Sequence, residues 1–570
     1  MPPISAACAE PPEGGGGADL SDRKTPLDRL RDQARKLAFD NPLYKMSLSG
    51  RAPGALKVIP PDPWPGDAER GHAMLGGQYR LAGQLVVLDA EPWAPPGAST
   101  AWRREMHAFD WLHDLRALGG DGPRRQARAM IAHWLDHNDA WDALTWHPAV
   151  LGRRIANWLQ LHDFYCASAD DEYRARLFAA VVKQAKHLSR VLPGDVVGGE
   201  LIAAIKGLVV TGLCLPGQEA RLEQGLKLLD AQIQRQVLPD GGLVERSPSE
   251  LLRVLRHLVD IRLTLRTAKA EQPQSLVQAI DRMTPALRFF RHGDGGLALF
   301  NDSYEEEPAL IEAVMAQADA RGKALKSARH SGFERILVGR TLVVVDTGTP
   351  APAGLDRHAH AGTLACEISA GRERLIVNCG AHPGGSDPQA AAWRNALRGT
   401  AAHSTVTVAD RNSSEFGEGG GLGPRRPTKV TVQREDFDGA VLVTAEHDGF
   451  VPVARAVHQR RLYVADPGDD IRGEDAIKAP AGTPFTLRFH LHPAVEAAEA
   501  ADGDGIVLST AGGQIWRLRA STGMPAIEES VYLGKIGEPE PSRQLVISGE
   551  TDEGGTTVKW ALRRESAARA

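Results

Sequence analysis

The chain has 570 residues, 42% of them hydrophobic, which is enough to bury more than one core, and two principal domains are expected. A formal net charge of −5 argues against a polyanion-coating surface, and no segment resembles a nucleic-acid-binding module. Five scattered cysteines, with no pair at metal-ligand spacing, exclude a small disulfide framework and read as buried thiols.

Residues 1–24, rich in Pro, Gly and charge, are expected to be a disordered tail. They lack the basic and apolar regions of a secretory signal, and no stretch has the apolar length of a transmembrane helix. The sequence by itself therefore suggests a cytoplasmic protein. Residues 25–100 form an N-terminal arm, with a short basic helix in LDRLRDQARKLA and a strand pair around GGQYRLAGQLVVLDA. Eight of the eleven tryptophans fall between Trp64 and Trp158, and core packing is the role expected of most of them.

Across 101–320 apolar residues recur at helical spacing, from EMHAFDWLHDLRAL to SELLRVLRHLVDIRLTLRTA, with breaks such as LPGD and LPDGG. Successive antiparallel hairpins of this kind curl into an incomplete α/α toroid. No fixed-period repeat supports a solenoid instead. From 321 to 570 the texture changes to short alternating runs, RILVGRTLVVVDTG through TTVKWALRR, punctuated by DG, GG and PGDD turns. Many strands without intervening helices imply an antiparallel β-sandwich. The fold class is thus α+β and multidomain, a toroid followed by a sandwich.

The stretch richest in chemistry is 357–414. It holds His358 and His360 in HAHAG, a hairpin reading TLACEISAGRERLIVNCG, and His403 in RGTAAHSTVTV. The histidines are expected at strand starts. Side chains two apart on a strand share a face, so His358 and His360 would line one site, with His403 returned beside them by an adjacent strand. His358, Arg398 and His403 are expected to face the groove between the two domains.

These residues resemble the heparinase II/III-like family of polysaccharide lyases. The resemblance runs from about Asp62 onward and is carried by HAHAG, LIVNCG, the Arg398–Val408 passage and FHLHP, with weaker echoes in WHPAVLGRRIANWLQ and LPDGGLVERSP. It implies cleavage of a uronate-containing or cell-envelope glycan by β-elimination, and a periplasmic or envelope location. His358 matches the family's sandwich histidine and takes its proton-transfer role, with His403 and Arg398 as further catalytic candidates. The implied partner is an acidic polysaccharide or oligosaccharide, with homodimerisation left open. A structural zinc of the family would map to His360, Asn378 and His403, where an amide is a poor ligand unless Cys379 turns inward.

Two departures stand out. SPSELLRV offers Glu250 and no Tyr where the family has a Tyr, and GDVVGGELIAAIKGL offers Glu200 where Asn or His is usual. A carboxylate repels a uronate, so carboxylate binding is assigned to Arg154, Arg394 or Arg398, with Glu245 nearby as a substrate contact. Two other functions stay open: a non-catalytic or regulatory glycan-binding relative, and a glycan hydrolase using Glu200, Glu245 or Glu250 as a carboxylate pair.

Overall fold

The computed structural model describes residues 26–565 except 51, 90, 385–387, 418 and 538. The tail expected over 1–24 lies outside the described residues. The arm opens with helices Pro26–Phe39, Pro42–Leu48 and Ala68–Leu75 and closes on a two-stranded ribbon, Gln78–Leu81 with Gln84–Val87.

Helices then follow one another from Thr100 to Ala318 as an incomplete α/α toroid. The helix Gly198–Cys214 runs through its middle and is apolar on nearly every face, so it is buried almost all round. It lies directly against Pro148–Gln160 because Gly152 has no side chain: a Cβ there would collide with the Ala203 backbone. Trp102, Trp134 and Trp158 are fully enclosed in this core, and truncating one of them to Ala would cost about 3–5 kcal/mol. Two further helices, Gln274–Phe289 and Pro308–Ala318, complete the helical part.

The strands form two antiparallel sheets facing each other. One has eight strands, with Thr556–Arg564 and Asp470–Lys478 at its centre. The other has nine and carries Cys366–Ala370 and Glu373–Val377, the hairpin turning at Gly371 (φ 64°). Strand Val457–Ala465 alternates buried with less buried positions, as a sheet packed on one face requires. Its inward residues join Leu487, Phe489, Trp516 and Trp560 in a second core. The sequence passage around Trp393, read as part of a strand-rich stretch, is instead the helix Pro388–Arg398.

Candidate functional site

The HAHAG residues do not start a strand. They sit in the irregular connection between strands Thr341–Asp346 and Cys366–Ala370, and His403 follows a single 3-10 turn, Thr400–Ala402. What fixes them is a segment from the other part of the chain. Asn301 and Asp302 both adopt left-handed backbone (φ 52° and 56°), a conformation Asn and Asp tolerate better than other L-residues and one that gathers at functional sites. Asn301 accepts the His360 backbone N–H at 3.0 Å, and its amide donates to the Arg246 carbonyl at 3.0 Å. Asp302 turns its carboxylate to His358, Oδ2 accepting from Nδ1 at 3.2 Å, while Oδ1 lies 3.1 Å from His360 Nε2. Arg394 completes the group, 3.4 Å from Oδ2. Burial opposes the Asp302 charge, but Arg394 and the His358 hydrogen bond outweigh it and hold its pKa well below the carboxylate range.

Behind this group His360 and His403 form a closed chain. The Gly399 carbonyl can only accept, so His403 Nδ1–H donates to it at 2.7 Å and leaves Nε2 bare. His360 Nδ1–H donates to that nitrogen at 3.1 Å, and His360 Nε2 accepts the Asp302 backbone N–H at 3.0 Å. Burial pushes both imidazoles toward the neutral form this chain requires. His403 is 2% exposed and faces this interior, not the groove, so the catalytic role expected of it does not fit its position.

The same geometry tests the zinc set. The facing nitrogens of His360 and His403 are committed to each other. The Asn378 amide donates to Leu299 O and Glu367 Oε1, both at 3.2 Å, and its oxygen accepts from Ser404 N–H at 3.0 Å. The Cys379 thiol lies 3.3 Å from His490 Nδ1, away from the pair. Among the described residues no three His, Cys, Asp or Glu side chains are arranged to hold a metal. Two imidazoles and a committed amide do not fit zinc.

On the open side His358 meets the helical part. Its side chain is 23% exposed, and Nε2 lies 3.7 Å from Glu250 Oε1. Burial alone would favour the neutral ring, yet Glu250 and Asp302 win and raise its pKa above the ordinary histidine value. The shift favours the protonated ring, the form in which His358 can donate. Glu250 lies in the first turn of the helix Pro248–Thr267, where its N–H donates to the capping Ser247 Oγ at 3.3 Å, and it is paired with Arg253. Burial works against its charge, but Arg253 and His358 keep it ionised. Glu245 and Glu250 press against the consecutive glycines Gly198 and Gly199, where any Cβ would strike a carboxylate. Burial and the neighbouring Glu250 push Glu245 up to about 7, toward the protonated form. Glu200 sits beside them with Arg104 at 2.5 Å, and with Arg357 and His147 each at 3.9 Å. Burial opposes its charge, but Arg104 foremost among these neighbours brings Glu200 down to about 2.

The arginines expected to bind substrate are placed differently. Arg154 is fully buried, its guanidinium 4.2 Å from the centre of a Trp134 ring, and it donates to Gln184 Oε1 and to the carbonyls of His107 and Thr145. It props the helical core and reaches no cleft. Arg398 is 2% exposed, donates twice to Ala359 O and covers the Phe416 ring, so it shapes the histidine loop from behind. Arg394 acts through Asp302. The exposed cations are ones the sequence reading missed: Arg357, 52% exposed, and Arg253, 43% exposed. Asp302 and Tyr304 were missed as well. The Tyr304 phenol lies among Asp302, Arg253 and Arg394, and burial keeps it protonated. The only signal for them was the polar run NDSYEEE following apolar LALF.

Comparison with known proteins agrees with this architecture. Residues 94–320 match the heparinase II/III N-terminus model, and residues 320–561 match the heparinase II/III-like C-terminal model. The FtsZ-localized protein C of Caulobacter vibrioides is 32% identical over 546 residues, covering 92% of this chain and 93% of that protein. Among solved structures, heparinase III superposes with a TM-score of 0.68 at 14% identity, over 84% of this chain and 80% of its own. A mutant of the heparan sulfate lyase HepC from Pedobacter heparinus gives 0.61 at 16% identity, over 97% and 93%. At such identities these structures speak for the fold alone.

Proposed function

We propose that this chain, which belongs to the heparinase II/III-like family, is a polysaccharide lyase acting on an acidic or envelope glycan, with His358 as its proton-transfer residue. The observation that carries the reading is the bracketing of His358 between Asp302 and Glu250 at the junction of the two parts, with one face open. β-Elimination removes the proton α to a uronate carboxylate, forms a carbon–carbon double bond and expels the glycosidic oxygen, which must gain a proton. His358, whose raised pKa favours the protonated ring, supplies that proton from Nε2. Arg253 and Arg357 at the rim offset the substrate carboxylate and the enolate charge, a task the buried Arg154 is not placed to share. Glu250, ionised and next to the imidazole, is the nearest acceptor for the α-proton.

A second reading has its own support. A protonated Glu245 beside an ionised Glu250 is the pairing that acid–base glycoside hydrolysis uses. The two chemistries separate by product mass in ¹⁸O-water. Hydrolysis adds labelled water, whereas elimination yields an unsaturated, unlabelled end. The name of the Caulobacter relative associates that protein with FtsZ, which supports a site of action near the division machinery. Among the described residues no helix is long and apolar enough to cross a membrane.

A further inference from the structure

A second cavity, sharing no lining residue with the His358 cluster, has a volume of about 420 Å³ and lies where the end of helix Gln274–Phe289 meets the hairpin Phe333–Val338 and Thr341–Asp346. Gly293 and Gly371 bring its walls together, for a Cβ on Gly293 would strike the Gly371 carbonyl. Four arginines line it, Arg288, Arg291, Arg335 and Arg340, and no carboxylate does. Arg291 is neutralised by Glu312 at 2.5 Å. Arg288 is held by backbone carbonyls only, Ala320 O at 2.9 Å and Gly322 O. Arg335 has a buried Nε with no hydrogen-bond partner among the described residues. Arg340 lies flat on Gly371, its Nη2 2.6 Å from where a Cβ would stand. Leu337, 53% exposed, offers an apolar surface beside them.

We propose that this cavity binds a small ligand bearing phosphate or sulfate ester groups. Guanidinium forks match such oxyanions with paired hydrogen bonds, and the volume falls in the range of small-molecule sites rather than extended chain grooves. Three of the four arginines lack a carboxylate partner among the described residues, and this excess positive charge favours an anion of more than one charge. Leu337 suits the ring or carbon body of such a ligand. The site is independent of the lyase reading and of His358.

Calorimetric titration of the full-length protein with pyrophosphate, ADP and glucosamine 6-sulfate tests this, with tetraglutamate as a comparison. Saturable binding of at least one of the first three is expected, weakening with salt and falling at least about tenfold in Arg340→Gln and in Arg335→Gln. Preference for ADP or for the sulfated sugar identifies the source of the oxyanion. Arg340 is exposed, so its variant keeps the fold and guards against a stability effect at Arg335. Absence of saturable binding by all three, affinity unchanged in Arg340→Gln, or tetraglutamate binding as tightly as the best of them would overturn the proposal.

Discussion

Glu250 Oε1 lies 3.7 Å from His358 Nε2, on the edge of the imidazole opposite the Asp302 contact. One residue comes from the first turn of a helix in the toroid and the other from a sandwich loop, so the proton-holding unit exists only when both parts are docked.

Removing the Glu250 charge should move the proton inventory. In Glu250→Gln the raised pKa of His358 drops, because its largest supporting charge is gone. If the acid form of His358 is required, activity is lost as pH rises through that pKa. Because Glu250 is also the proposed acceptor of the α-proton, turnover should fall as well, and the falling limb of the residual pH–rate profile should shift to lower pH by about one unit or more. An unmoved limb would separate His358 from the rate.

Asp302→Asn should be the most damaging single change in the cluster. It strands the buried Arg394, and breaking such a pair costs about 3–5 kcal/mol near pH 7. The depressed Asp302 pKa means that its stabilisation is complete above the ordinary carboxylate range and is lost as pH falls through the folded value. His358, whose pKa is raised, contributes fully below about 6.5 and loses its share as pH rises above that. Denaturant unfolding at several pH values should therefore show the variant's deficit shrinking below about pH 4. A deficit independent of pH would contradict the assignment.

Arg154→Ala separates core support from substrate contact. It leaves the Thr145 and His107 carbonyls unpaired and empties the space against Trp134. Thermal melting should fall, consistent with a loss of about 3–5 kcal/mol, while KM for any substrate stays near the parent value. A raised KM with unchanged melting would return Arg154 to the cleft.

The two architectures were legible because their periods differ: helical spacing ends and strict alternation begins near residue 321. His358 was found because HAHAG is a local pattern. Its partners were not, since Asp302 and Glu250 lie 56 and 108 positions away and meet it only through tertiary docking. The placing of Arg154 and Arg398 in the cleft failed for a related reason. A guanidinium that stacks on Trp134 or caps Ala359 O looks in sequence like one awaiting a substrate, and only burial tells them apart. The strand-start reading of the histidines failed because Asn301 and Asp302, not a sheet ladder, hold the HAHAG loop.

Elemental analysis of purified protein should find no tightly held zinc. The His360–His403 bond and the committed Asn378 amide leave fewer donors than a closed zinc site needs. One zinc per chain, resistant to dialysis, would contradict the hydrogen-bond chain drawn through His403.

The most direct measurement is product analysis of the wild type and His358→Ala on a panel of uronate-containing and envelope glycans. An unsaturated product lighter by one water than the hydrolytic fragment is expected from the wild type. Turnover should fall at least about a hundredfold in His358→Ala, with melting nearly unchanged. A variant that cleaves at the wild-type rate, or a panel that yields no unsaturated product, would contradict the account.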